Sequence, residues 1–319
     1  MYFGKFILLP FFLSLIFYLI IKSITSRLID LIHQRFKLNL SKVTAIPIMI
    51  LAVFVVLYFL WLILKFNLDG VIQKSSVYQD NFEKVTSILS NTFINNFLQN
   101  NDFLNSLDLF SIFTKLLNRF SDFAGNFSFI IIFLIFFVVE EKNFIKKIKS
   151  IFSASKIRIL NKINSDIFYY FQLKTLTSIL TGLLTFFSLF FLKNDLAITF
   201  GVLSFFLNFI PFVGSVLSIL IPLFFSIIQF LNFFEPLLTF LCLSLVQIYV
   251  GNILEPKLMG KTLNISPLVM IIFLTILGKF WGIAGMFLSV PLLVVILITL
   301  SRIKSTRKIA ILLSEKGDL

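Results

Sequence analysis

Long apolar runs separated by short charged interruptions fill most of this chain. A helix that crosses a bilayer needs about 20 mostly apolar residues, and several runs approach or exceed that length. The first is 6–21, with Pro10 near its start and Lys22 placed to snorkel and lengthen it. It has no small-residue cleavage site and does not read as a removed signal peptide. The second is 43–64. The third, 127–139, is short by itself, and residues 120–125 could extend it. The fourth is 176–192. Two longer stretches follow, 196–231 and 266–300, with 237–250 between them.

The two longer stretches are too long for one span and too short for two spans with an ordinary loop. Each has a break in the middle. The first reads Asn208-Phe209-Ile210-Pro211-Phe212-Val213-Gly214-Ser215, with Pro222 further on; the second reads Gly278-Lys279-Phe280-Trp281-Gly282-Ile283-Ala284-Gly285, with Pro291 further on. Proline removes a backbone donor and clashes with the preceding turn, and glycine adopts conformations other residues avoid. Both stretches therefore read as apolar run, break, apolar run, proline. Paired interrupted segments of this kind point to a transport site, because lipid cannot satisfy the free backbone groups of a broken helix. Two re-entrant hairpins, two kinked helices and two tight helical hairpins all fit the pattern.

Between the second and third runs, residues 65–126 behave differently. Tyr78, Phe82, Val85, Leu89, Phe93 and Phe97 recur at three- and four-residue steps, as do Leu109, Phe113, Leu116 and Phe120. That is the period of amphipathic helices. Such helices could lie on the bilayer, cap the bundle or pair with other subunits. Together with the small-residue breaks they are compatible with assembly as a homo-oligomer.

Composition fits an integral membrane protein: 58% apolar, 13% charged, mean hydropathy +1.01 over 319 residues. A soluble protein of this size would leave much of that surface in water. The net charge of +13 reads as cytoplasmic segments and not as nucleic-acid binding. Segment 22–42 carries five Lys/Arg and one acid, 140–174 carries eight and three, and the tail after Ser301 carries five and two. These three are expected in the cytoplasm. Segment 65–126 has five Lys/Arg and six acids and is expected outside. The expected organisation is N-terminal spans with a basic cytoplasmic loop over 1–66, an extracytoplasmic amphipathic segment over 67–126, a transmembrane core over 127–303 and a cytoplasmic tail over 304–319. The fold class is all-α, a polytopic transmembrane helix bundle.

The lone His33 and Cys242 rule out a disulfide, a thiol pair or a histidine-based metal site within one chain. No Ser–His–Asp set or paired carboxylates stand out, so no enzyme, cofactor or metal is expected. Gly260-Lys261-Thr262 imitates the end of a phosphate-binding loop, but that loop needs glycine at position 255, which is Glu255, and no strand precedes it.

The densest polar chemistry of the C-terminal half lies in 247–261: Gln247, Asn252, Glu255, Pro256, Lys257 and Gly260. An acid at the membrane boundary is costly unless paired or wet. Glu255 and Lys257, two residues apart around a proline, read either as a structural ion pair pinning the loop or as a site coupling ion movement to transport.

NILEPKLMGKTLNISPLV followed by LGKFWGIAGMFLSVPLLVV resembles the C-terminal signature of the autoinducer-2 exporter family, bacterial polytopic permeases, and FGVLSFFLNFIPFVGSVLSILIP resembles its other hallmark. The resemblance covers about residues 10–303. On it, Asn208, Pro211, Gly214, Asn252, Glu255, Pro256, Gly260, Gly282, Gly285 and Pro291 belong to the shared membrane core. Members usually carry an additional hydrophobic segment near the N-terminus, and this chain begins almost at the second one. Their third span tends to end in a Lys/Asp-Arg-Glu-like run where this chain has Glu140-Glu141-Lys142. The resemblance implies a multi-pass protein of the bacterial inner membrane that moves a small polar solute, with export of the quorum signal autoinducer-2 as the name-giving activity. Such a carrier would use neutral donors such as Asn208, Ser215, Gln247 and Asn252. A cation/proton antiporter would need a titrating acid, for which Glu255 is the candidate. A non-transporting scaffold would use the outer helices and show no continuous polar path.

Overall fold

The computed structural model describes residues 2–36, 42–92, 127–210, 212–259, 265–315 and 317. Among them every element is helical. In chain order these are α1 (Tyr2–Phe36), α2 (Lys42–Gln73), α3 (Ser75–Thr92), α4 (Phe127–Ile151), α5 (Ala154–Phe191), α6 (Ala197–Leu207), α7 (Val213–Phe230) and α8 (Phe234–Gln247). A π-helical segment, Ile248–Leu254, then leads into α9 (Glu255–Met259), α10 (Pro267–Trp281), α11 (Ile283–Arg302) and α12 (Arg307–Leu313). Four stretches among the described residues are long and apolar enough to cross a membrane: Ala154–Phe191, Val213–Phe230, Phe234–Leu258 and Ile283–Arg302.

The basic segments expected as loops are largely helix. The apolar run of α1 ends near Ile21, but its backbone stays helical to Phe36. Helix α4 continues from Val139 through its lysines to Ile151, and α5 starts at Ala154. Nothing in 140–151 breaks a helix: there is no proline or glycine, and Lys and Glu are good helix formers. The third run is thus lengthened at its charged end; residues 120–125 lie outside the described residues. Helix α2 likewise runs unbroken across positions 66 and 67.

Helix α5 is the spine. Its 38 residues span about 57 Å, well beyond a hydrocarbon core of about 30 Å. Near its first third, Asp166 is held by Arg302 at the end of α11, with the guanidinium Nε and Nη2 both donating to Oδ2, at 2.9 and 2.5 Å. At its far end Lys193 takes φ 58° and the chain turns into α6.

Both broken stretches are helical hairpins whose arms return to the end they came from. In the first, Gln229 near the end of α7 reaches back to the turn before α6. Its Oε1 accepts the Asp195 amide at 3.0 Å and its Nε2 donates to the Lys193 carbonyl at 2.8 Å. In the second, Ser266 ahead of α10 donates its amide to Leu313 of α12, and α11 ends at Arg302 on α5. The first hairpin therefore inserts from the α5 C-terminal end and the second from the opposite end. The single helical run Phe234–Leu258 connects them. Their inner parts meet: the Phe209 and Phe287 rings are 4.9 Å apart, and Leu207, Ile210 and Leu274 share one apolar cluster with Leu217 and Met286. The short arms, α6 with 11 residues and α10 with 15, are below the length of a span.

One device closes both hairpins. A Cβ on Gly214 would lie 1.9 Å from the Leu207 carbonyl oxygen, and a Cβ on Gly285 would lie 1.9 Å from that of Leu277. Only glycine lets the returning helix approach the end of the incoming one this closely. The turns differ: Gly282 takes φ 66°, whereas in the first hairpin Phe212 takes φ 58° with ψ −62°, a conformation that is strained for an aromatic residue.

Candidate transport site

Helix α5 carries its polar chemistry on the buried side. Lys174, Thr177, Ser178, Thr181 and Thr185 are all buried, spaced so that they form a stripe along one side of a 3.6-residue helix. Two hydroxyls bond their own helix: Thr177 donates to the Lys174 carbonyl at 3.1 Å and Thr181 to that of Thr177 at 2.9 Å. Gly182 on α5 and Gly201 on α6 let the two backbones approach; a Cβ on Gly182 would meet the Gly201 carbonyl oxygen at 2.8 Å. Small residues have this use in helix packing within membranes.

Helices α6 and α8 pack on α5, and with α7 they carry further buried polar groups. Asn208, at the end of α6, donates from Nδ2 to Ser178 Oγ at 3.0 Å in a buried bond. Ser204 lies one turn earlier on α6, and its buried hydroxyl has no partner among the described residues. On α7, Gly214, Ser218, Pro222 and Ser226 form the buried face. Ser226 Oγ meets Thr239 Oγ1 of α8 at 3.0 Å. Counting along the two antiparallel helices from that contact puts Ser218 level with the buried Gln247. The Ser218 hydroxyl and the Thr175 hydroxyl of α5 are likewise buried without a partner among the described residues. Buried hydroxyls are normally hydrogen-bonded, so the unpartnered Ser204 and Ser218 mark unused donors and acceptors at the level of Gln247, and Thr175 another nearer Lys174.

The stripe ends in a charge pair. Lys174 Nζ lies 2.6 Å from Glu255 Oε1, with only 9% and 12% of the two side chains exposed, and the Thr177 hydroxyl oxygen lies 3.4 Å from Oε2. The partner of Glu255 is thus Lys174, 81 residues away, and not the exposed Lys257. Glu255 and Lys257 both lie in α9, and two positions apart on a helix they point to different sides. The hydroxyl of Tyr170, one helical turn before Lys174, is buried and unpartnered among the described residues. The π-helical turn that delivers Glu255 is itself a form concentrated at functional sites.

The remaining expected positions divide by location. Ser215 is half-buried at the start of α7; Asn252 and Pro256 are exposed; Gly285 and Pro291 are buried in α11; Gly282 is exposed at the second turn. Pro211 and Gly260 lie outside the described residues, as do Phe93 and Phe97 and the run from Leu109 to Phe120. Of the expected set, Asn208 and Glu255 are tied directly to the α5 stripe. The α5 residues themselves give little signal in the sequence, since Lys174 reads as loop charge and the Thr/Ser spacing sits inside an apolar run.

A second polar cluster closes the opposite end. Asp195 receives Lys74 Nζ at 2.7 Å and the Tyr78 hydroxyl, while Asn67 Nδ2 donates to its carbonyl at 2.8 Å and Thr199 donates to Asn67 Oδ1 at 2.7 Å. Burial alone would raise the Asp195 carboxyl, but the bonds from Lys74 and Tyr78 and the Lys74 charge outweigh it, so it titrates below the usual range. Burial and the same carboxylate push the Tyr78 phenol well up. Tyr78, expected on an amphipathic face, packs against Phe225 of α7 at 5.2 Å. A groove of about 450 Å³ lined by Phe66, Asn67, Lys74, Asp195 and Ile198 opens beside it.

The model of the AI-2E family transporter matches residues 1–305. A putative transport protein of Borreliella burgdorferi is 33% identical over 210 residues, 64% of this chain and 58% of that protein. The AI-2 transport protein TqsA of Escherichia coli is 32% identical over 207 residues, 64% of this chain and 60% of its own length. The putative transport protein YhhT of Escherichia coli is 31% identical over 202 residues, 63% and 58%. The chain thus matches 58–60% of the length of these relatives. With opposed hairpins, a helical bundle and a family match across nearly its whole length, the chain belongs to the AI-2E transporter family of multi-pass proteins of the bacterial inner membrane.

Proposed function

We propose that this chain carries a small, neutral, polar solute across the membrane, and that the solute is bound at mid-depth between α5, α6, α7 and α8. One observation carries the reading: the hydroxyls of Ser204 and Ser218 are buried without partners among the described residues, Ser204 one helical turn from Asn208, which bonds Ser178. A hydroxyl-rich solute would satisfy them, and the family name suggests one of the autoinducer-2 type. Opposed hairpins provide the means of alternating access, since each can loosen towards its own side while the other stays packed. On the distribution of Lys and Arg, the basic segments 22–42 and 140–174 and the tail face the cytoplasm and 65–126 faces out. The first hairpin then opens outward and the second inward. Flux of autoinducer-2 into proteoliposomes tests the reading. Saturable flux lost in Asn208→Ala supports it; flux indistinguishable from protein-free vesicles contradicts it.

The Lys174–Glu255 pair favours a second reading, cation/proton antiport, because a buried carboxylate facing a lysine can exchange its partner for a cation. Sodium-driven proton movement that survives Asn208→Ala but not Glu255→Gln would select it.

A further inference from the structure

One side of α2 and α3 forms a continuous stripe. Asn67, Val71, Lys74, Tyr78 and Asn81 recur at four- and three-residue steps, the spacing of a single helix face. The stripe crosses the junction of the two helices, because the Lys74 amide donates to the Val71 carbonyl and the Tyr78 amide to that of Lys74. Each member meets the first hairpin, and together they reach both of its arms at the mouth. Ahead of α6, Asp195 takes bonds from Asn67, Lys74 and Tyr78. Within α6, Thr199 bonds Asn67, and Val71 shares an apolar cluster with Ala197 and Phe200. At the end of α7, Asn81 Nδ2 donates to the Ile228 carbonyl at 3.1 Å. Tyr78 spans both arms by itself, with its hydroxyl on Asp195 and its ring on Phe225.

This grip is of a kind that can let go. Much of it is polar, and Lys74, whose side chain is 58% exposed, makes an ion pair of the weak surface class. The groove beside Asn67 and Lys74 leaves that edge of the stripe unpacked. Gly70 lies between them, and a Cβ there would meet nothing within 4 Å. Packing therefore does not call for glycine at this position, and glycine weakens a helix interior. The inner end of the same hairpin is closed differently, by the Gly214 backbone contact and apolar side chains.

We propose that the stripe is a strap across the mouth of the first hairpin, and that the hairpin opens outward only when the strap releases both arms. This role rests on the first hairpin opening outward, as the proposed function has it, and not on which solute passes. It gives α2 and α3 a part in transport, since the strap sets how often the buried site is open to the outside.

The test reads opening without any solute. Right-side-out membrane vesicles carry the full chain with Ser204→Cys in a Cys242→Ser background, and a membrane-impermeant maleimide is added outside. Ser204 is buried, so its labelling rate follows opening. Asn67→Ala with Tyr78→Phe removes three bonds of the strap and keeps the ring on Phe225. Labelling should then rise about tenfold. Gly70→Ala stiffens the strap, meets no neighbour and should slow labelling about threefold; it carries the test alone if the pair does not fold. A cysteine in place of the buried Ser289 of the second hairpin should label at the same rate in all of these backgrounds. Ser204→Cys labelling that a folded variant leaves unchanged would overturn the proposal, as would an equal rise at Ser289→Cys. Labelling that responds as expected without any solute flux would support the strap and contradict the solute reading.

Discussion

The two hairpins share a backbone device and differ in chemistry. In each, a glycine of the returning helix sits against a carbonyl of the incoming one, and a buried proline follows, Pro222 in α7 and Pro291 in α11. Around the first hairpin, the buried groups include Ser204, Asn208, Ser218 and Ser226. Around the second, α11 buries Leu288, Leu293, Val294 and Leu297 against α1 and α5, and its buried Ser289 bonds its own helix at Met286. Equal geometry with unequal polarity separates two roles. The glycine contact makes a hairpin that can end inside a membrane; the polar lining is what the proposed solute site adds to one of them.

The largest effect is expected where charge is buried. Glu255→Gln or Lys174→Met alone leaves an unpaired charge in a nearly closed site, at a loss of about 3–5 kcal/mol. The double change should recover most of it, because an apolar replacement of an intact pair is often near neutral. Lys257→Gln should stay within about 0.5 kcal/mol, as expected of an exposed side chain. Thermal unfolding in detergent separates these cases. If Lys257→Gln destabilised as much as Lys174→Met, Lys174 would not be the cation that holds Glu255.

Gly214→Ala and Gly285→Ala sharpen the comparison directly. Each puts a methyl into a backbone carbonyl, so each should destabilise by about 1–3 kcal/mol through overpacking. Similar losses would show that the device is shared. A tolerated Gly285→Ala beside a damaging Gly214→Ala would break the equivalence of the hairpins.

The smallest effect belongs to the opposite end. Asp195 titrates below the ordinary carboxylate range in the folded protein. Its contribution is therefore present above the unfolded carboxyl value and fades as pH falls through the lower, folded value. With Lys74 largely exposed, the contribution should be under about 1 kcal/mol. Asp195→Asn should flatten the acid side of the stability profile of the α2–α6 contact, read by hydrogen exchange at Asn67 and Thr199. An unchanged acid limb would show that the contact holds without the charge.

The sequence made the architecture legible and half of the candidate site. The apolar runs, the breaks at Asn208–Ser215 and Gly278–Gly285, and the family motifs all follow from local composition and spacing. The helical state of 22–36 and 140–151 was hidden because charge signals the membrane boundary and says little about backbone shape. Asn208 and Glu255 were visible as polar residues in apolar surroundings. Their partners were not. Ser178 and Lys174 lie 30 and 81 residues away, and only the packing of α5 against α6 and α9 makes them neighbours. The nearness of Lys257 in sequence pointed to the wrong cation, because a helix turns two-residue neighbours to different sides.

The central claim is that the first hairpin, and not the second, lines the solute path. Ser204→Ala and Ser218→Ala remove hydroxyls that have no partner among the described residues, so folding should lose little. Ser289→Ala in the second hairpin removes a hydroxyl that bonds only its own helix. Solute flux in proteoliposomes, normalised to folded protein, decides between them. Flux should fall about tenfold or more in the Ser204→Ala, Ser218→Ala double variant, in line with the loss of one or two hydrogen bonds to a solute, and stay near wild type in Ser289→Ala. Full flux in the double variant, or an equal loss in Ser289→Ala, would contradict it.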